Sequence, residues 1–162
     1  YITGCDLPLI LPAKATPPKT TLKSLFGVLV RMLLYILIFI VLAFAAYVRL
    51  VPLSAERFHT SISATNNKDI KGASFQIVQN TAGAMEKLDA SLKALPRTTL
   101  LAGSIAEGHL TYVTRSKWMG FPDYTTLEQS GDTIKMFARL RFGRQDMGVN
   151  AARLRKLITA LD

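Results

Sequence analysis

Cysteine occurs once in the 162 residues, at Cys5, which excludes an internal disulfide. Histidine occurs twice, at His59 and His109, and with Cys5 remote from both there is no ligand cluster of zinc-site spacing. No glycine-rich phosphate loop and no metal motif is present. The one trio that hydrolytic chemistry would draw on is His109, Ser116 and Asp123. It has no nucleophile-elbow pattern around it, and strand alternation sets His109 and Ser116 on opposite faces. From these absences we expect no catalytic activity, no metal and no cofactor. Acidic residues are also short, 11 against 20 Lys+Arg, for a net charge of +9.

Charge is nearly missing from residues 25–48, LFGVLVRMLLYILIFIVLAFAAYV, where Arg31 is the one charged side chain. A bilayer core about 30 Å thick is spanned by ~20 apolar residues in a helix, so 24–48 is expected to be a transmembrane helix. Ala43, Ala45 and Ala46 have the small-residue character of a signal-peptide cleavage site. The apolar run, however, exceeds the roughly 7–15 residues of a signal peptide. Gly27, Ala43 and Ala46 are places where a neighbouring helix can approach closely.

Before the run, residues 1–23 hold Pro8, Pro12, Pro17 and Pro18 with Lys14, Lys19 and Lys23, the composition of an extended tail rather than a core. Ile2-Thr3-Gly4-Cys5 has the form of a lipoprotein processing site, but only four residues precede Cys5, so a lone thiol is expected. The lysines place this tail in the cytoplasm by the positive-inside rule, and with it residues 49–162 in the periplasm of a bacterial inner membrane. Trp118, Tyr112 and Tyr124 lie near basic residues as in a nucleic-acid platform, yet a domain tethered there does not meet nucleic acid.

After the run, 49–72 reads as a linker that partly packs on the domain 73–162. Patterning predicts a strand over 72–79 and a helix over 82–95, with Met85, Leu88, Leu92 and Leu95 on one face. Asn80 or Thr81 is its expected cap. Strands follow over 98–104, 109–117 and 121–128. Over 133–142, Ile134, Met136, Ala138, Leu140 and Phe142 alternate with Thr133, Lys135, Phe137, Arg139 and Arg141, the mark of one packed and one wet face. Asn150 is the expected cap of a last helix, 151–161. The expected fold is α+β: a single transmembrane helix, then a small antiparallel sheet with two helices on one face, in the order β-α-β-β-β-β-α.

The motifs carry a resemblance. Leu95-Pro96-Arg97-Thr98, Arg115-Ser116 with Phe121-Pro122-Asp123, and Arg141-Phe142-Gly143-Arg144-Gln145-Asp146-Met147-Gly148-Val149-Asn150 with Arg153 resemble the family called domain of unknown function 1499. Its members often carry RSxxxxFPD and SRxGxxDxGxNxxR, and those most like this chain have an Arg-aromatic-His element after a membrane anchor, as in Arg57-Phe58-His59. The likeness covers roughly 50–162. Ala138 and Leu140 stand where the family often has serine, and 60–80 diverges. The resemblance implies no activity.

Between Lys135 and Lys156 there are seven basic residues and one acid, Asp146. Arg139, Arg141, Arg144 and Arg153, with Arg115, are therefore the candidates for binding an anionic ligand or a partner. Asp123, Asp146, Gly143, Gly148 and Asn150 are read as structural. Asp146 is expected to pair with Arg144, Arg141 or Arg153, and Asp123 with Arg115 or Arg139. Two functions are consistent with this pattern. One is a single-pass accessory subunit or assembly factor of an integral membrane protein complex, respiratory and photosynthetic complexes being plausible hosts. The other is a tethered periplasmic domain that binds lipid headgroups of the bilayer or a small anion.

Overall fold

A computed structural model of the chain describes residues 22–161. Two compact units divide it, one ending at Ile40 and one beginning at Val41. Cys5, Lys14 and Lys19 lie outside the described residues.

The apolar run folds as helix α1, Leu22–Leu50, 29 residues or about 44 Å at 1.5 Å per residue. Among the described residues it is the one helix long and apolar enough to cross a membrane. Val48 is its only buried residue, so nearly the whole apolar surface faces away from the protein. A surface of this kind is stable in lipid and not in water.

The unit that begins at Val41 contains the rest: α2 Ala55–Phe58, β1 Lys68–Ile70, β2 Ala73–Gln79, α3 Ala84–Ala94, β3 Thr98–Ser104, β4 His109–Arg115, β5 Pro122–Ser130, β6 Thr133–Leu140 and α4 Val149–Thr159. The strands form one six-stranded sheet in the order β1-β2-β6-β5-β4-β3, and every neighbouring pair is antiparallel. The architecture is α+β as expected, with one strand more than the pattern predicts. That strand, β1, lies in the segment expected to be a linker. Its three residues are all exposed, so no apolar alternation marks it in the sequence.

Alternation decides what each face does. Leu110 and Tyr112 of β4, Leu127 of β5, and Ile134, Met136 and Ala138 of β6 point to one side. There they meet Ala84, Met85, Leu88 and Leu92 of α3 and Leu154 and Leu157 of α4. Each large apolar side chain buried in this layer contributes about 1.5–3 kcal/mol. The Tyr112 hydroxyl donates to the buried carboxylate of Asp89, which also takes Lys93 Nζ at 2.8 Å. Burial, then the hydrogen bond and charge of Asp89, push the Tyr112 phenol far above its ordinary range.

The opposite face is covered by the segment after α1. Phe58 lies in a buried cluster with Val113 and Tyr124, and Leu53 and Leu101 pack against it. The Phe58 and Tyr124 rings stack 3.6 Å apart and 2° from parallel. Ile62 is also buried.

Both helix entries differ from expectation. Helix α3 is entered through Gly83 at φ 77 with no side-chain cap, and the Asn80 amide donates to Gly131 O instead. Helix α4 starts two residues early, through Gly148 at φ 80, a conformation glycine reaches without steric cost. Asp146 then caps it, accepting Gly148 N at 3.1 Å and Asn150 N at 2.8 Å. Asn150 therefore sits inside the first turn. Gly143, at φ 95, opens the same loop.

Candidate functional site

The expected basic face proves to be a clamp. Lys135 and Arg139 project from the wet side of β6 and Arg141 from the residue just after it, and each donates to a backbone carbonyl of the segment above. Lys135 Nζ reaches Ile62 O at 3.3 Å, Arg139 Nη2 reaches Phe58 O at 3.0 Å, and Arg141 Nη1 reaches Pro52 O at 2.7 Å and the Tyr124 hydroxyl at 3.0 Å. The Arg139 guanidinium also lies 4.9 Å from the centroids of both Phe58 and Phe137. Burial, then the nearby charge of Arg57, lowers its pKa. These cations hold the segment on the sheet.

Arg153 serves the other face. Its Nη1 donates to Asn150 Oδ1 at 2.6 Å and its Nη2 to Asp123 Oδ2 at 3.4 Å. Asp123 thus pairs with neither Arg115 nor Arg139, because strand parity puts it on the helix face with Thr125 and Leu127. Burial outweighs Arg153 and raises the Asp123 pKa. Asp146 has no arginine partner among the described residues. Burial pushes its pKa up, but the backbone N–H groups of Asn150 and Gly148 more than offset this and hold it low. Arg144 is exposed in the loop. A methyl group added at Gly27 would meet no other residue within 4 Å, and Ala43 and Ala46 are exposed on α1.

Arg115 leads elsewhere. Its Nη1 donates to Gly120 O at 3.0 Å and to Val48 O, in the last turn of α1, at 3.3 Å. Arg49 Nη2 donates to Trp118 O at 3.0 Å. Between these contacts the turn 116–121 closes on itself: Ser116 N donates to Phe121 O at 2.9 Å and Phe121 N to Ser116 Oγ at 3.0 Å. Cations at a helix C-terminus are favoured by its carbonyls and dipole, which accounts for part of this arrangement. Phe44, Tyr47, Phe121 and Phe142 gather beside it, with centroid separations of 6.0–6.2 Å.

Four cations, Arg49, Arg97, Arg115 and Lys117, line a hollow here of about 350 Å³, completed by Thr99, Ser116 and Gly120. No acid lines it, and none of the four forms an ion pair among the described residues. Arg97 Nε donates to Arg115 O at 3.0 Å, and its two Nη groups have no partner among the described residues. Four positive side chains around one space raise a strong positive potential, and guanidinium forks match phosphate and carboxylate oxygens.

Of the arginines singled out in the sequence, only Arg115 reaches this hollow, and Arg49, Arg97 and Lys117 were missed. A signal existed for Arg97, which stands in Leu95-Pro96-Arg97-Thr98 and meets Arg115-Ser116 here. What hid it is an irregularity in the β3–β4 register between Leu100 and Ala102. The pairing Ser104↔His109, carried on without it, would set Arg97 against Ser116. With it, Thr98 faces Thr114 and Arg97 O accepts Arg115 N at 2.9 Å.

His109, Ser116 and Asp123 do not come together. The His109 ring stacks on His59 at 3.9 Å, Ser116 holds its own turn, and Asp123 faces the helices. The described residues contain no group of three or more His, Cys, Asp or Glu that could hold a metal ion. Tyr112 and Tyr124 are fully buried and so offer no exposed stacking surface.

Fold and site together define a small α+β domain that continues from a long apolar helix and carries a cationic hollow beside the end of that helix. Residues 48–161 match the family described as "Protein of unknown function (DUF1499)", and the chain belongs to it. No curated protein matches the chain.

Proposed function

We propose that this is a single-pass membrane protein whose domain is a non-catalytic binding module for an anionic oxygen group at the bilayer surface. The shared chemistry is phosphate, either on a lipid headgroup or free. The observation that carries this reading is the hollow of Arg49, Arg97, Arg115 and Lys117, without an acid, at the C-terminal turn of α1. A charged end of a spanning helix lies at headgroup level, which is where such a hollow meets phosphate. Lys14, Lys19 and Lys23 support a cytoplasmic N-terminus and a periplasmic domain in a bacterial inner membrane.

The test uses the full chain in nanodiscs. One arm titrates inorganic phosphate into phosphatidylcholine discs, and the other measures enrichment of phosphatidylglycerol around the protein by native mass spectrometry. Arg97→Ala combined with Lys117→Ala is expected to weaken the binding arm by about tenfold or more, as loss of charge-assisted hydrogen bonds does. Binding in neither arm, or binding unaffected by the double substitution, overturns the proposal.

The second reading is an accessory subunit or assembly factor of a larger membrane complex. The bare length of α1, with Val48 its only buried residue, favours it. Comigration with a large complex after mild solubilisation supports that reading, and a monomeric profile counts against it.

A further inference from the structure

The side chains of Lys117, Trp118 and Met119 are exposed and lie outside the buried core. Trp118 is 79% exposed and Met119 38% exposed. A large indole left in water is a poor use of apolar surface unless something covers it. The turn is nevertheless well formed. Ser116 and Phe121 close it, and Gly120, at φ 74, lets it approach Arg49 so nearly that a Cβ there would sit 3.2 Å from Arg49 Cγ. It is also tied to the end of α1 at two points. Arg49 donates to Trp118 O, and one nitrogen of Arg115 bridges Gly120 O and Val48 O.

We infer that this turn is a second membrane contact, with the Trp118 ring seated in the interface of the bilayer that α1 crosses. This rests on the reading that α1 spans a membrane. Arg49 marks where charge resumes after the apolar run, so a turn whose Trp118 carbonyl is bonded to it lies at the headgroup boundary. Indole prefers that boundary because its ring is apolar and its N–H needs a polar partner. The surrounding charge also fits lipid. Lys117 Nζ lies 5.1 Å from the Trp118 ring centroid, and Arg49, Arg97 and Arg115 stand behind the turn, a cationic setting complementary to anionic headgroups. Because the turn is already closed on itself, seating it orders only the exposed side chains.

Trp118 is the only tryptophan in the chain, so its fluorescence reports this position alone. The full chain is reconstituted in vesicles of phosphatidylcholine and phosphatidylglycerol, and flotation establishes that it is anchored. The expected result is blue-shifted emission, quenching by lipids brominated near the glycerol end of the acyl chain, and protection from aqueous iodide. Emission typical of water-exposed indole with full iodide quenching overturns the inference. Protection from both quenchers also overturns it, by showing that protein and not lipid covers the ring. Failure to float overturns it as well, because a chain that is not anchored has no bilayer at Arg49. Comparing the lipid quenching with the two binding arms separates the two proposals. Lipid quenching in an unsubstituted protein that binds neither phosphate nor phosphatidylglycerol refutes the hollow alone. Phosphate binding without lipid quenching refutes the membrane turn alone.

Discussion

Single side chains show how a local reading of charge can mislead. Arg139 of β6 and Arg141 just after it are correctly placed by alternation on the wet side, yet a wet face in a strand pattern is only a face that turns away from the main core. Here it receives the chain's own residues 52–62, and the arginine donors meet backbone carbonyls at 2.7–3.0 Å. His109 carries a prediction at this scale. It faces His59 across a 3.9 Å stack, lies opposite Glu128 of β5, and has Thr60 and Glu107 nearby. Burial first, then the neighbouring His59, lowers its pKa against the opposing pull of Glu128, Thr60 and Glu107. The folded state therefore prefers neutral His109, while the unfolded chain takes up the proton at about pH 6.5. Stability from this group is complete above that pH and is lost as pH falls below it toward the depressed folded value. Thermal unfolding followed by circular dichroism should show a melting temperature that drops from pH 7 to pH 5. His109→Gln should flatten that part of the profile, and an unchanged slope would count against this account.

At the scale of elements, the segment 51–63 behaves as a third layer of the domain. Its buried apolar residues are few, Val51, Phe58 and Ile62 with Leu53 packed beside Phe58, and they are too sparse among polar residues to make a sustained helix stripe or strand alternation, so the pattern marks no more than a linker that partly packs. Its hold comes from a stacked ring, the β6 cations and the Glu128 carboxylate that accepts Ile62 N. Phe58→Ala should cost about 3–5 kcal/mol, as truncation of a buried aromatic does. Hydrogen exchange across 51–63 should rise with it. A loss under about 1 kcal/mol would show that the arginine clamp suffices without the ring. The strands were more legible. β3 occupies Thr98–Ser104, the bounds read from the sequence, because strand propensity is carried by adjacent residues. β1 was not legible because three exposed residues form a strand only when β2 offers them an edge.

For the molecule as a whole, the proposal that α1 spans a membrane makes the direction of insertion govern which compartment the hollow faces. With Lys14, Lys19 and Lys23 on the cytoplasmic side, protease added to spheroplasts should remove 49–162 and spare an epitope placed in 1–23. Full protection of the domain would reverse the orientation and put the cationic hollow on the cytoplasmic leaflet, where anionic lipid is also present.

The apolar helix, the antiparallel α+β pattern and the family were determined by the sequence alone, since hydropathy, alternation and motif spacing are sums over neighbours along the chain. The gathering of Arg49, Arg97, Arg115 and Lys117 was decided only in three dimensions. They come from the end of α1, the residue before β3, the end of β4 and the turn after it. Their meeting depends on the register irregularity beyond Leu100 and on the tether from Arg115 to Val48 O. Positions so far apart in sequence are brought together by backbone pairing and close packing, and no local pattern records either.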